Sequence, residues 1–369
     1  MEENENAFKH LFNLACLQRI SEALISVYPQ FDLKSFLRLM PKLKLLEMKP
    51  RVRLIRDELK KRLPENYPQA LKILLKSNQT KKLQDFDLWP YTEFIQTYGL
   101  NNPELSLRAL KELTSDFTSE WAIRPFLIQD AKQTLAFLKL CARDKNEHVR
   151  RWASEGTRPR LPWGARLYDF IKDPNQALPI LEILKFDPEL YVRKSIANHL
   201  NDISKDHPSL VIEILKRWKT EARKEHADKI GWITRRALRT LIKNGDAQAL
   251  KLIGVSHKAE VKLDHFKIQK NKIKLGEHLA FEFRLTSFSK KSQKLVVDFI
   301  IHHVKANQTT KAKVFKLKTF EILPLQTEYL VKSQRFQKIT TREYYPGVHL
   351  LEIQVNGKVL AKKEWTLVV

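Results

Sequence analysis

An α-helical repeat solenoid followed by an antiparallel β-sandwich is the architecture that this 369-residue sequence predicts. Three observations predict it. Apolar residues recur at three- and four-residue spacing up to Gly254, a short motif returns at intervals in the low forties, and beyond Gly254 the apolar period drops to two. The expected domains are therefore 1–254, helical, and 255–369, a sandwich. An apolar content of 43% is enough for a sizeable core in each, and only 9 glycines leave little material for Gly-rich phosphate loops.

The helical part opens with two clear segments. Phe8, Leu11, Phe12 and Ala15 predict an amphipathic helix, and a second runs over Val52–Leu63 until Pro64 closes it. Asn101, Asn102 and Pro103 mark a break before a helix over Glu104–Thr114. Thr118 or Ser119 can cap the next helix, and Glu120 stands four residues before Arg124, the spacing of an exposed ion pair. Leu127, Ala131, Leu135, Leu138 and Ala142 predict one continuous helix from Phe126 to Ala142.

A repeat begins after that helix. Val149-Arg150-Arg151 is matched 43 positions later by Val192-Arg193-Lys194, and 41 positions further on by Ile233 with Arg235 and Arg236. Each is read as the start of the second helix of a pair, with segments 179–185 and 209–217 between them as partners. Two helices per unit at this period describe HEAT-like repeats, which bury their apolar faces by stacking. Stacking should bring the recurring basic residues onto one surface.

Between His148 and Gly164 the sequence holds one Glu, four Arg and two Trp. Gly156 is expected to end the helix by adopting positive φ, and Pro159 and Pro162 stiffen the loop beyond it. The outcome should be a basic loop tipped by Trp163, set just after a buried acid, Glu155, while Trp152 keeps the helical period and enters the core. Segments 279–285, 295–301, 311–317 and 347–355 alternate as strands, and Asn356-Gly357 signals a hairpin into Lys358–Val369. About seven short strands suggest an immunoglobulin-like sandwich, with Tyr344 and Tyr345 where such folds carry a tyrosine corner.

Composition narrows the function. Lys and Arg number 67 against 42 Asp and Glu, a net charge of +25 shared by both domains, which points to a polyanionic partner. The two cysteines, Cys16 and Cys141, form no CxxC motif, consistent with a reducing cytoplasm. Glu2, Glu3 and Glu5 sit where a secretion signal needs positive charge, and no apolar run reaches membrane-spanning length. No HExxH, P-loop or GxGxxG occurs, and neither a metal nor another cofactor is expected. The carboxylates Glu120, Glu155 and Asp202 remain. If the repeats stack, all three reach one basic surface, where acids repel phosphate and need a reason to be present. A developing oxocarbenium ion in glycosidic cleavage supplies one. The plainer alternatives are an exposed ion pair for Glu120 and a helix-end cap for Asp202. Trp163 stacks on a base or sugar in the functional reading, and plugs its own loop in the other.

Three stretches carry a resemblance to a known family: Ala153 to Gly164, Val192 to Asn198 continuing through Asn201 and Asp202, and Ser119-Glu120-Trp121. They resemble the AlkC family of bacterial DNA alkylation repair glycosylases, which are HEAT-like repeat proteins related to AlkD, and one branch of which ends in an immunoglobulin-like domain. The family often has Cys where this chain has Thr157. The resemblance implies base excision repair of N3-methylated bases, 3-methyladenine and 3-methylcytosine, in double-stranded DNA by a cytoplasmic, nucleoid-bound enzyme that does not flip the base. It implies that Glu120, Glu155 and Asp202 line the lesion site and that Trp163 contacts DNA there. Arg158, Arg160, Arg193, Lys194, Arg235 and Arg236 are the expected further DNA contacts, and the sandwich is expected to grip the backbone. A non-catalytic HEAT-repeat protein that binds damaged or branched DNA is the alternative; such a binder has no use for three acids on a basic face.

Overall fold

The computed structural model describes residues 7–339 and 342–369, so Glu2, Glu3 and Glu5 lie outside the described residues. The chain forms two compact units that meet at Asp206/His207. The change from helix to strand comes later, between Leu252 and Val261. The 254/255 boundary expected from the sequence is thus the change of secondary structure, and the last four helices belong to the same unit as the strands. Among the described residues no helix is long and apolar enough to cross a membrane.

The first unit contains α1 (Leu14–Ile25), α2 (Leu33–Leu37), α3 (Met40–Lys44), α4 (Met48–Arg62), α5 (Tyr67–Gln79), α6 (Trp89–Tyr98) and α7 (Pro103–Thr114). It continues with α8 (Arg124–Gln129), α9 (Ala131–Cys141), α10 (Glu147–Gly156), α11 (Tyr168–Lys172), α12 (Leu178–Leu184) and α13 (Leu190–Ile203). Local chemistry starts many of them. The side chains of Asn13, Asn66 and Asn146 accept from backbone N–H groups in the first turns of α1, α5 and α10, and proline opens α5, α6, α7, α8 and α12.

Three helix expectations are corrected. The Phe8–Ala15 pattern is a 3-10 turn, Phe8–Leu11, broken from α1 by the Asn13 cap, and Phe8 is exposed. The helix expected from Phe126 to Ala142 breaks at Asp130, whose extended backbone ends α8 and whose Oδ1 accepts from Gln133 N at 2.9 Å to start α9. A capping residue inside a periodic run overrode the period. Helix α10 does end at Gly156, but without positive φ; a Cβ there would come 2.7 Å from Ile123 Cγ2, so the glycine serves close approach.

The repeat is real over its first two copies. Helix α10 packs on α7, α9, α12 and α13, and Val149, Trp152, Ala153, Val192, Ile196 and Leu200 form the buried seam. Each large side chain there contributes about 1.5–3 kcal/mol. The expected third copy is out of phase: Ile233 lies in the last turns of its helix, which begins at Lys224, because the polar stretch Lys224–Asp228 already forms helix.

The second unit opens with α14 (Pro208–Glu221), α15 (Lys224–Ala237), α16 (Arg239–Lys243) and α17 (Ala247–Leu252). The strands are β1 (Val261–Ile268), β2 (Lys272–Lys274), β3 (His278–Ser287), β4 (Gln293–Val304), β5 (Thr310–Ile322), β6 (Thr327–Arg335), β7 (Gly347–Val355) and β8 (Lys358–Val368). They form a three-stranded sheet, β1-β3-β6, and a five-stranded sheet, β2-β8-β7-β4-β5. All pairings are antiparallel except β2 with β8. Alternate residues of β3, β4 and β7, among them Phe281, Phe283, Val297, Phe299 and Ile353, fill the core between the sheets. His302 pairs with Glu352 at 2.9 Å, whereas His303 lies against Phe336. Tyr345 donates to the Glu343 carboxylate rather than to the backbone acceptor that a tyrosine corner uses.

Val296, Asp298 and Ile300 point away from that core and are nevertheless buried, because the terminal helices close over the outer face of the sheet. Gln354 Nε2 donates to Lys243 O at 3.0 Å, and Asn356 Nδ2 to Ser256 O at 2.8 Å. The Asn356-Gly357 turn has φ of 48° and 82°, as a tight hairpin requires. At Gly357 a Cβ would meet Gly245 Cα at 2.2 Å. Gly357→Ala is therefore expected to destabilise the protein by ~2 kcal/mol or more, from backbone strain and collision together. Equilibrium unfolding in urea checks it; an unchanged midpoint would show that the two backbones need no such approach.

Candidate active site

The three sequence-selected acids converge, and each is delivered by a different segment. Glu120 lies in the turn between α7 and α8, Glu155 in the last turn of α10 and Asp202 near the end of α13. The packing of α10 on α13 sets the distance between the latter two. All are buried, at 7%, 5% and 2% exposure, so each needs a charge partner.

The partners form one alternating chain of charge. Arg151 Nη1 lies 2.6 Å from Glu120 Oε2, and Arg151 Nη2 lies 3.6 Å from Glu155 Oε1. Arg158 Nη1 is 2.5 Å from Glu155 Oε1, and its Nε and Nη2 reach Asp202 Oδ2 at 2.9 and 2.8 Å. Lys205 Nζ closes the series 3.1 Å from Asp202 Oδ1. Thr118 Oγ1 donates to Glu120 Oε2 at 2.8 Å, and Tyr191 offers its ring face to the Arg151 guanidinium at 4.8 Å. Burial pushes the Glu120 carboxyl above its ordinary range; Arg151 opposes the rise and neighbouring Glu155 adds to it. A cleft of about 330 Å³ opens beside this end of the chain, with Glu120, Arg151, Tyr191, Phe117 and His148 in its wall.

A second arginine builds the loop. Arg124 is fully buried and donates to the carbonyls of Gly156, Arg158 and Ala165, the first two at 3.0 and 2.9 Å. Burial pulls its pKa down to about 10, with Arg158 adding to the effect. Trp121 Nε1 donates to Pro162 O at 3.0 Å, and Lys49 Nζ donates to Trp163 O. These bonds hold Trp163 at φ 64°, uncommon for a bulky residue, with its indole half exposed beside Trp89 and Trp121.

The other predicted contacts divide. Arg158 points inward, into the acid network, and is 7% exposed, so it is an ion-pair partner in this structure. Arg160 pairs with Asp206 at 2.9 Å. Arg193 donates to the Asp187 and Pro188 carbonyls, and Lys194 is exposed. Arg235 and Arg236 are exposed on α15, in the second unit. The plainer alternative for Glu120, an exposed pair with Arg124, is not formed: Glu120 is buried and pairs with Arg151. Sequence reasoning missed Arg151, Lys205, Arg124 and Tyr191 as site residues. The first two carried a signal, at four residues before Glu155 and three after Asp202. Among the described residues no group of three or more His, Cys, Asp or Glu side chains is placed to hold a metal ion.

His199 lies beneath the network. It is fully buried, its Nδ1 3.0 Å from Ser154 O, and burial with nearby Arg158 lowers its pKa to about 3. The native imidazole thus stays neutral where that of the unfolded chain, at about 6.5, takes a proton. Stability from this group is complete above pH ~6.5 and is lost as pH falls toward 3, at up to ~1.4 kcal/mol per unit. Thermal unfolding at pH 7 and pH 5 should show a smaller acid loss for His199→Gln than for the wild type; equal losses would assign the acid sensitivity elsewhere. Arg158→Gln is expected to cost about 3 kcal/mol, since it leaves two buried carboxylates without their shared cation.

Comparison with known proteins gives concordant matches. Residues 107–241 match the family model described as DNA alkylation repair enzyme, and residues 262–369 match that of the C-terminal Ig-like domain of the uncharacterised protein YhaZ. The chain is 39% identical over 356 residues to YhaZ of Bacillus subtilis (strain 168), covering 95% of this chain and 96% of that protein. Its fold is similar to the solved structure of Pseudomonas fluorescens alkylpurine DNA glycosylase AlkC bound to DNA containing an abasic site analog. That match has a TM-score of 0.92 and 41% identity, and covers 98% of this chain and 100% of the other.

Proposed function

Since the chain belongs to the AlkC family of DNA alkylation repair glycosylases, in the branch with a C-terminal immunoglobulin-like domain, we propose that it excises cationic N3-methylated bases from double-stranded DNA. The substrates are 3-methyladenine and 3-methylcytosine, and the bond hydrolysed is the N-glycosidic bond. The observation that carries this reading is the meeting of Glu120, Glu155 and Asp202 in one buried network next to the half-exposed Trp163.

The chemistry suits such a site. An N3-methylated base already bears positive charge, so it departs neutral and needs no general acid. Positive charge then develops on the sugar, and fixed carboxylates stabilise it more than they stabilise the ground state. Asp202 holds the attacking water and accepts its proton; Glu155 and Glu120 act by charge and position. Trp163 stacks against the DNA beside the lesion, so the base need not enter a pocket. Arg158 bridges two of the acids and so fixes Glu155 and Asp202 relative to each other for that role.

Incubation with methylated DNA and identification of the free bases tests the reading. Wild type should release 3-methyladenine. Asp202→Asn and Glu155→Gln should each suppress release at least a hundredfold, on the scale of lost acid–base or electrostatic groups, while duplex binding survives. Release at wild-type rates by both variants would remove these acids from the mechanism, and no release by wild type would leave a DNA binder. Because Glu120 must be ionised to act and its pKa is raised, the single-turnover rate should fall as pH drops through that value, and Glu120→Gln should abolish this acid limb.

A further inference from the structure

A further cavity is lined entirely by residues of the second unit. It measures about 120 Å³ and sits where α15 and α16 close over the outer face of β4 and β5. Asp298 lines it, only 2% exposed, and its Oδ2 has no hydrogen-bond partner. Five cations line the same space: Arg235, Arg239 and Lys243 from the helices, and Lys294 and Lys316 from the strands. The sheet register is shaped for this. The β4–β5 ladder slips after Val297, leaving Leu317 as an extra residue and setting Asp298 opposite Lys316. Two ammonium groups are tethered at the rim: Lys243 Nζ donates to Val314 O at 3.3 Å and Lys294 Nζ to Ile253 O at 3.2 Å. A lysine has three donors, so each keeps some to offer.

Five cations around one carboxylate make a site for an anion, and aliphatic walls strengthen its pull by keeping out water. A volume of about 120 Å³ is large enough for a phosphate group. We propose that this cavity anchors one backbone phosphodiester of DNA, held by Arg235, Lys294 and Lys316, with a phosphate oxygen facing the unpartnered Oδ2 of Asp298. The inference rests on the proposed action on DNA.

The carboxyl oxygen that lacks a partner finds one in that arrangement. Burial has already raised Asp298 to about 6, against Lys243 and Lys316, which hold it down. A seated phosphate adds negative charge and favours the proton further. The other charged groups facing Asp298 are Arg235, Arg239 and Lys294, with the His302–Glu352 pair further along the same sheet face.

The test uses the full chain and an undamaged duplex oligonucleotide. Lys316→Gln and Arg235→Gln should each weaken binding roughly three- to tenfold at low salt and reduce the log–log salt slope by about one, and Lys316→Arg should keep the slope. Asp298→Asn supplies an N–H donor that does not titrate, so it should bind more tightly than wild type at pH 8 and lose the wild-type weakening between pH 6 and 8. Unfolding midpoints measured on the same samples confirm that each variant is folded. Wild-type slopes in both charge variants, or wild-type pH dependence in Asp298→Asn, would overturn the proposal. So would inorganic phosphate raising the midpoint of wild type but not of Lys316→Gln while the DNA slope is unchanged, since the site would then take free phosphate. A wild type that binds DNA with these slopes but releases no methylated base defeats the glycosylase reading alone.

Discussion

Arg158 stands between two carboxylates that could not otherwise be buried side by side. Helices α10 and α13 are packed so as to make that arrangement. The guanidinium reaches Glu155 from its own helix end and Asp202 from the neighbouring repeat, so it ties α10 to α13 by charge where Val149, Trp152 and Ile196 tie them by packing. Buried ion pairs seldom add net stability relative to an apolar pair of the same shape, yet losing one member is expensive. The apolar seam provides the cohesion, and the ion pairs fix which carboxylate faces which. Arg124 does the same for the loop, through carbonyls instead of acids.

Much of this was legible in the sequence, for reasons that can be named. The alternation of Leu279 to Leu285 and the Asn356-Gly357 turn are local signals, and the strands and hairpin lie where they pointed. Glu155 stood out as a buried acid just ahead of the loop, and it is 5% exposed. The departures have two causes, competition between local signals and contacts made from far along the chain. Asp130 reads as one more polar residue in an amphipathic run, but its side chain caps the next helix. Gly156 ends its helix as it reads, yet what requires a glycine there is Ile123, 33 positions earlier, which no window on the sequence contains. The same holds for Arg158: its sequence neighbours suggest a loop cation, and only the approach of α13 brings Asp202 to it.

The second unit shows how a uniform feature of the sequence divides into different uses. Leu295 to Ile301 is apolar apart from Asp298, as suits a strand covered on both faces, and the terminal helices provide the second cover. A strand of that kind has no solvent side on which to place an acid. Asp298 is therefore tolerated only where the helix-to-sheet junction leaves a space ringed with positive charge. The basic excess, which the composition reports as a single number, is concentrated by the fold around particular points.

Burial also gives the protein's charges two different relations to the ions around it. Mobile salt screens exposed lysines and arginines over a Debye length of about 8 Å at physiological strength, but it scarcely enters a network whose acids are more than nine-tenths enclosed. The attraction between this cationic surface and a polyanion therefore weakens as the medium becomes saltier, while the ion pairs that Glu155 and Asp202 make with Arg158 are shielded from it. A cell that shifts its internal ion content alters how often such a protein meets its partner and leaves intact the instrument it brings to the meeting.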